Sequence, residues 1–384
     1  AGFTPYNLSM AGLLAAFFLS ALTTLWVIRT AHKHSHLSAD AESSGPQKFH
    51  QGEVPRVGGV GILVGIAVSA LALYLLGWDD EALALKILLC ALPAFGAGLW
   101  EDLTKQVSPA KRLLASALSG GLGCAMLGAT LSRTDIPGLD ALMVFPVFAV
   151  MATVFTVAGV ANALNIIDGF NGLASMCAML MLAAFAGLSF VVGDLQLMRI
   201  GLISLFAVAG FFIWNYPRGL IFLGDGGAYL LGFLVAEIGI LLVVRHPQMS
   251  PLVALMVCIY PVFETVFSIY RRRFLRAVPP GLPDGIHLHS LIYRRLVRWA
   301  AGPRDARGMA ARNSAVSPFL WILCLTSIAP ALAFWDNSAL LGACIVIFAL
   351  VYIGVYWRIV RFKTPLIFKG PKLVAKIMMN QPAR

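Results

Sequence analysis

Apolar runs of about 20 residues follow one another along almost the whole chain, broken by short polar stretches, and this recurrence limits the folds open to it. A run of that length crosses the hydrocarbon of a bilayer as one α-helix, and in lipid only helices and closed barrels satisfy the backbone N–H and C=O groups. The runs lie at 8–28, 57–77, 83–100, 112–132, 141–161, 173–192, 197–216, 226–244, 251–270, 316–335 and 338–357. They predict an all-α fold, a polytopic membrane protein with about 11 transmembrane helices. Hydrophobic residues make up 59% of the 384 and charged residues 12%, which excludes an ordinary soluble domain. The first run is too long for the apolar stretch of a signal peptide and has no basic flank before it, so it reads as a retained helix. The expected organisation is a single integral membrane domain over 1–384, with a long cytoplasmic loop at 271–315 and a basic cytoplasmic tail at 358–384.

Lys and Arg set the orientation. Placed on alternate sides of the membrane, 25 of them fall on one side and only Lys86, Arg133, Arg199 and Arg245 on the other. This asymmetry predicts a periplasmic N-terminus and a cytoplasmic C-terminus. The net charge of +11 therefore orients the protein and favours anionic membrane lipids, with no nucleic acid implied. The six cysteines all lie in apolar runs without a CxxC pair and read as small core residues.

The unusual polar residues gather on the side that the basic residues make cytoplasmic. "KFHQGEVPRVGG" carries Lys48, His50, Arg56 and the pair Gly58 and Gly59; "WEDLTK" carries Glu101, Asp102 and Lys105. "NALNIIDGFNGLA" spaces Asn162, Asn165, Asp168 and Asn171 by three residues, which predicts one polar stripe on a helix face if the helix continues through them. "FLGDGGAYLLGF" presents Asp225 among glycines, and "PDGIHLHSLIYRR" presents His287 and His289. The HxH pair is compatible with zinc, yet no Cys or third His lies near it. Glu264 falls inside an apolar run, where a carboxylate is expensive enough to be a functional candidate. In "LIYRRLVRWA", a helix would gather Arg294, Arg295 and Arg298 on one face, suited to lipid headgroups or to a diphosphate.

Carboxylates, amides, basic residues and glycine turns on one membrane face are the parts of a magnesium and phosphate site. Magnesium takes one or two carboxylates plus substrate phosphate oxygens, while Lys, Arg and His neutralise the remaining anionic charge. Glycines let backbone approach phosphate closely.

These motifs together resemble the polyprenyl-phosphate N-acetylhexosamine-1-phosphate transferases, glycosyltransferase family 4, over residues 48 to about 295. The resemblance implies transfer of an N-acetylhexosamine-1-phosphate from a UDP-N-acetylhexosamine to undecaprenyl phosphate, with release of UMP, in the bacterial inner membrane. It implies Mg2+ as cofactor, with Mn2+ as a substitute, and an early step of an envelope glycan such as O-antigen. By position it assigns catalytic roles to Glu101, Asp102, Asp168 and Asp225, with Asp225 as the metal ligand. Lys48, His50, Lys105, Asn165, Asn171, His287 and His289 become substrate-binding candidates. The chain departs from the family pattern at Glu101, Asn171 and Glu264, where aspartate is common, and at Ser290, where a further histidine is usual. The last departure favours the WecA-like branch over the MraY-like one. A homodimer is compatible with this reading. Two rivals stay open: a secondary transporter using Glu237 and Glu264, and a catalytically inactive relative that binds lipid carriers.

Overall fold

The computed structural model describes residues 5–38, 54–77, 82–275, 285–297 and 306–361. The regular elements are helices: α1 (Pro5–Ser38), α2 (Gly58–Leu75), α3 (Ala82–Thr104), α4 (Pro109–Leu127), α5 (Leu139–Met143), α6 (Pro146–Ile167) and α7 (Leu173–Val191). After these come α8 (Leu195–Asn215), α9 (Gly224–Arg245), α10 (Leu252–Tyr270), α11 (Leu288–Ile292), α12 (Ala306–Ser314), α13 (Ser317–Ala333) and α14 (Ser338–Val360). Among the described residues, ten helices are long and apolar enough to cross a membrane. The run expected at 112–132 is also helical, as α4, but Lys111 and Arg112 in its first turn leave it outside that group. It ends at Gly128, whose φ of 66° no other residue type adopts so cheaply. The run expected at 141–161 divides into α5 and α6, because Pro146 starts a new helix at its first turn.

The bundle is built around α9. Its sequence is apolar on every side, the pattern of a helix surrounded by others, and all residues from Gly224 to Val243 are buried. Helices α2, α3, α4, α6, α7, α8 and α10 pack against it. On the outside α1 lies against α2 and α8, while α10, α13 and α14 pack together and join the rest through α6 and α7.

The start of α9 is held in close quarters by glycine. Gly58 N–H donates to Phe222 O at 3.0 Å, Gly59 N–H to Leu223 O at 3.1 Å, and Phe222 N–H to Pro55 O at 2.9 Å. A Cβ on Gly98 of α3 would stand 2.6 Å from the carbonyl carbon of Asp225, so only glycine lets the two helices approach there. The first turns of α2, α4 and α9 and the last turns of α3 and α6 thereby meet at one end of the bundle.

Candidate functional site

Asp225 stands in the first turn of α9, where a carboxylate is favoured by the helix dipole. Asn165, in the last turn of α6, donates from Nδ2 to Asp225 Oδ1 at 3.0 Å. Arg112 of α4 forms an ion pair with Asp225 Oδ2, and Arg56 Nη2 lies 3.9 Å from Oδ1. Asp225 thus gathers two guanidinium groups and an amide from three other segments.

Asp102, near the end of α3, is 1% exposed. Its Oδ1 accepts the backbone N–H of Asp225 at 2.9 Å and its Oδ2 that of Gly226 at 2.9 Å. The two oxygens serve two of the four donors that the start of a helix leaves unsatisfied. Asp102 therefore holds the start of α9 in place. Glu101 is likewise used locally: its Oε2 accepts Val107 N–H at 2.7 Å and closes the turn between α3 and α4. Lys105, the residue after α3, has φ +57° and is exposed.

The expected polar stripe in "NALNIIDGFNGLA" is cut short. The helix stops at Ile167, Asp168 takes ψ 54°, and Gly172 adopts φ 72° to start α7. Asn162 and Asn165 stay on α6, with Asn162 Oδ1 accepting Tyr229 OH at 3.4 Å. Asn171 leaves the stripe because it follows the turn. It is 2% exposed, its N–H donates to Asn313 Oδ1 at 2.8 Å and its Nδ2 to Ser314 Oγ at 3.2 Å, and its carbonyl accepts Ser317 Oγ at 2.6 Å. The structure places it as a tie between the α6–α7 turn and the α12–α13 corner.

Asp168 is partly buried at the turn. Burial pushes its carboxyl up to about 7; the Arg56 guanidinium opposes the rise and the Asp102 carboxylate adds to it. The histidine segment reaches the same turn. The ring of His289 lies 5.4 Å from that of Phe170, and a Cβ on Gly169 would meet His289 Nε2 at 2.9 Å. The rings of His287 and His289 stack at 5.2 Å. Segment 288–297 is α11 followed by a wider turn, with Arg294 and Arg295 half-buried. Lys48, His50 and Arg298 lie outside the described residues.

Of the residues singled out in the sequence, the structure brings together Asp102, Asn165, Asp168, Asp225 and, through the Gly169 turn, His289 and His287. Arg112 is the partner that motif reading passed over. A signal was present: a cation in the first turn of a helix opposes the dipole, and such a residue needs an anionic partner.

The arrangement is a carboxylate flanked by two guanidinium groups at a helix start. Residues 84–243 match the model of a family described as glycosyl transferase family 4. The chain is 32% identical over 299 residues, 73% of its length, to an undecaprenyl-phosphate alpha-N-acetylglucosaminyl 1-phosphate transferase of Pasteurella multocida, of which 78% is covered. It is 30% identical over 228 residues, 59% of its length, to a putative UDP-N-acetylglucosamine–dolichyl-phosphate N-acetylglucosaminephosphotransferase of Saccharolobus solfataricus, of which 69% is covered. To a probable undecaprenyl-phosphate N-acetylglucosaminyl 1-phosphate transferase of Bacillus subtilis it is 26% identical over 285 residues, 73% of this chain and 77% of that one.

Proposed function

The chain belongs to glycosyl transferase family 4, the polyprenyl-phosphate N-acetylhexosamine-1-phosphate transferases, and from that premise we propose that it moves an N-acetylhexosamine-1-phosphate from a UDP-sugar to undecaprenyl phosphate and releases UMP. The observation that carries this reading is the meeting of Arg56, Arg112 and Asn165 around Asp225 at one end of the bundle, with Asp168 near Arg56 and Asp102. By the distribution of Lys and Arg, that end faces the cytoplasm of a bacterial inner membrane. The product would open an envelope glycan such as O-antigen, in the WecA-like branch.

The donors at hand fit magnesium. Asp225 would supply one carboxylate and Asn165 its amide oxygen, since its Nδ2 donates to Asp225; phosphate oxygens and water would complete such a set. When bound, the ion would neutralise charge on the diphosphate. The protein's own residues do the rest. A phosphate monoester has a second pKa near 6, so at neutral pH the lipid phosphate is already largely a dianion and needs no strong base. The obstacle is bringing two anions together, and Arg56 and Arg112 lower it by placing positive charge at the meeting point. The lipid phosphate oxygen attacks the sugar-bearing phosphorus; a new P–O bond forms, the bond to the UMP phosphate breaks, and UMP leaves with the electron pair. Asp102 contributes by fixing the first turn of α9 and so the carboxylate of Asp225.

The test is purified protein with magnesium, undecaprenyl phosphate and a panel of UDP-N-acetylhexosamines. UMP release that requires both substrates supports the proposal; no release with any donor defeats it. Release of UMP before lipid is added would replace direct attack by a covalent enzyme intermediate.

A further inference from the structure

At the edge of the site, the histidine segment is gripped by buried polar groups that the transfer described above does not use. Glu264 of α10 is 1% exposed. Its Oε1 accepts from His287 Nδ1 at 3.0 Å and from Leu288 N–H at 3.2 Å, and its Oε2 accepts from Tyr352 OH of α14 at 2.5 Å. Two turns further along, just past the end of α10, Arg271 donates to the carbonyl oxygen of Ile286 and, at 2.5 Å, to Tyr356 OH. The Tyr356 hydroxyl also reaches Ile286 O at 3.3 Å. Arg271, the still-helical cap of α10, is seven residues from Glu264, and Tyr352 and Tyr356 are four apart on α14, so each pair shares one helix face. Two helices thus grip the backbone on both sides of His287.

Apolar packing would fasten this segment without burying a carboxylate, which is costly unless paired and hydrogen-bonded. What apolar packing cannot do is select a tautomer. A carboxylate at Nδ1 makes that nitrogen the donor and fixes the ring plane, the arrangement by which carboxylates orient imidazoles elsewhere. The orientation is passed on, since His287 stacks on His289, and His289 lies against Gly169 and Phe170 beside Asp168.

We propose that the last helix, α14, is part of the working site: Tyr352 holds Glu264, and Glu264 positions the His287 imidazole, so that this pair of residues sets the affinity for the phosphate groups of the nucleotide sugar. The inference rests on the transferase reading given above. Tyr352 and Glu264 are positioning residues and touch no substrate.

The test uses the full-length protein in nanodiscs and two readouts. In steady-state kinetics Glu264→Gln should raise KM for the UDP-sugar about tenfold with kcat changed less than about threefold, Tyr352→Phe should raise it about threefold, and Glu264→Asp should recover part of the loss. In a His287→Asn background Glu264→Gln should add less than about twofold, because its effect passes through that ring. An unchanged KM, or an equal loss with and without His287, overturns the proposal. The second readout is the 15N spectrum of histidine-labelled protein without substrate, with His287→Asn identifying the resonance. Glu264→Gln and Tyr352→Phe should both move the His287 Nδ1 signal while the melting temperature shows the fold retained; an unmoved signal overturns the proposal. If wild-type protein releases no UMP, the transferase reading fails, and the spectrum still decides whether the bracket exists.

Discussion

The carboxylate of Asp102 accepts the backbone N–H of Asp225 and that of Gly226, each at 2.9 Å, so one acidic residue fixes the backbone that carries another. The two aspartates should therefore fail differently. Asp102→Asn turns an amide NH2 toward a backbone N–H and leaves a buried donor unsatisfied, which costs about 1–3 kcal/mol of stability as well as activity. A lowered melting temperature together with lost turnover checks this. An Asp102→Asn protein as stable as wild type would show that the helix start does not depend on it.

Glu101 works through reach. Its Oε2 accepts Val107 N–H at 2.7 Å across the α3–α4 turn. Glutamine keeps a carbonyl oxygen at the same distance from the backbone, whereas aspartate is one methylene short. Glu101→Gln should retain most activity and Glu101→Asp should lose more, as measured by initial rates of UMP release. The opposite order would show that the charge, and not the turn, is what matters.

Asp168 gives the site a pH dependence. Burial raises its carboxyl from 3.8 to about 7, so the carboxylate forms as pH rises through that value. A raised folded-state pKa means that ionisation weakens the fold: this contribution to stability is fully present below pH 3.8 and is lost as pH rises through about 7. Between about pH 4 and about pH 8 the melting temperature should change with a less negative slope in Asp168→Asn than in wild type. Equal slopes would remove Asp168 as the titrating group.

Gly98 is where α3 touches the start of α9. Gly98→Ala places a methyl group 2.6 Å from the Asp225 carbonyl carbon, backbone that cannot rotate aside. The overpacking should cost about 1–3 kcal/mol and lower activity, because the displaced turn carries Asp225. Gly96, with nothing near its Cβ position, is the control: Gly96→Ala should be tolerated. Equal tolerance of both would contradict the close approach.

How far the sequence spoke can be traced residue by residue. The spans were legible because length and apolarity suffice for a membrane helix, and only Pro146 and the charges at Lys111 and Arg112 altered that pattern. Asp225 and Asn165 stood out as polar groups beside apolar runs. Asn171 misled, because three-residue spacing marks one face only while the helix lasts, and it stops at Ile167. The partners of Glu264 could not be seen, since Tyr352 lies 88 residues away and period alone does not show which helices adjoin. Arg112 was visible as a charge, and its partner depended on the same missing information.

The most direct test of the central claim, that the Asp225 centre performs the transfer, is formation of lipid-linked sugar phosphate from labelled UDP-N-acetylhexosamine by wild-type and Asp225→Asn proteins, with and without magnesium. The account predicts product only from wild type with magnesium, and an Asp225→Asn protein that still folds but melts lower than wild type, since side-chain volume is almost unchanged while Arg112 loses its ionic partner. Product from Asp225→Asn at the wild-type rate, or wild-type product that is unaffected by removal of divalent metal, would contradict it.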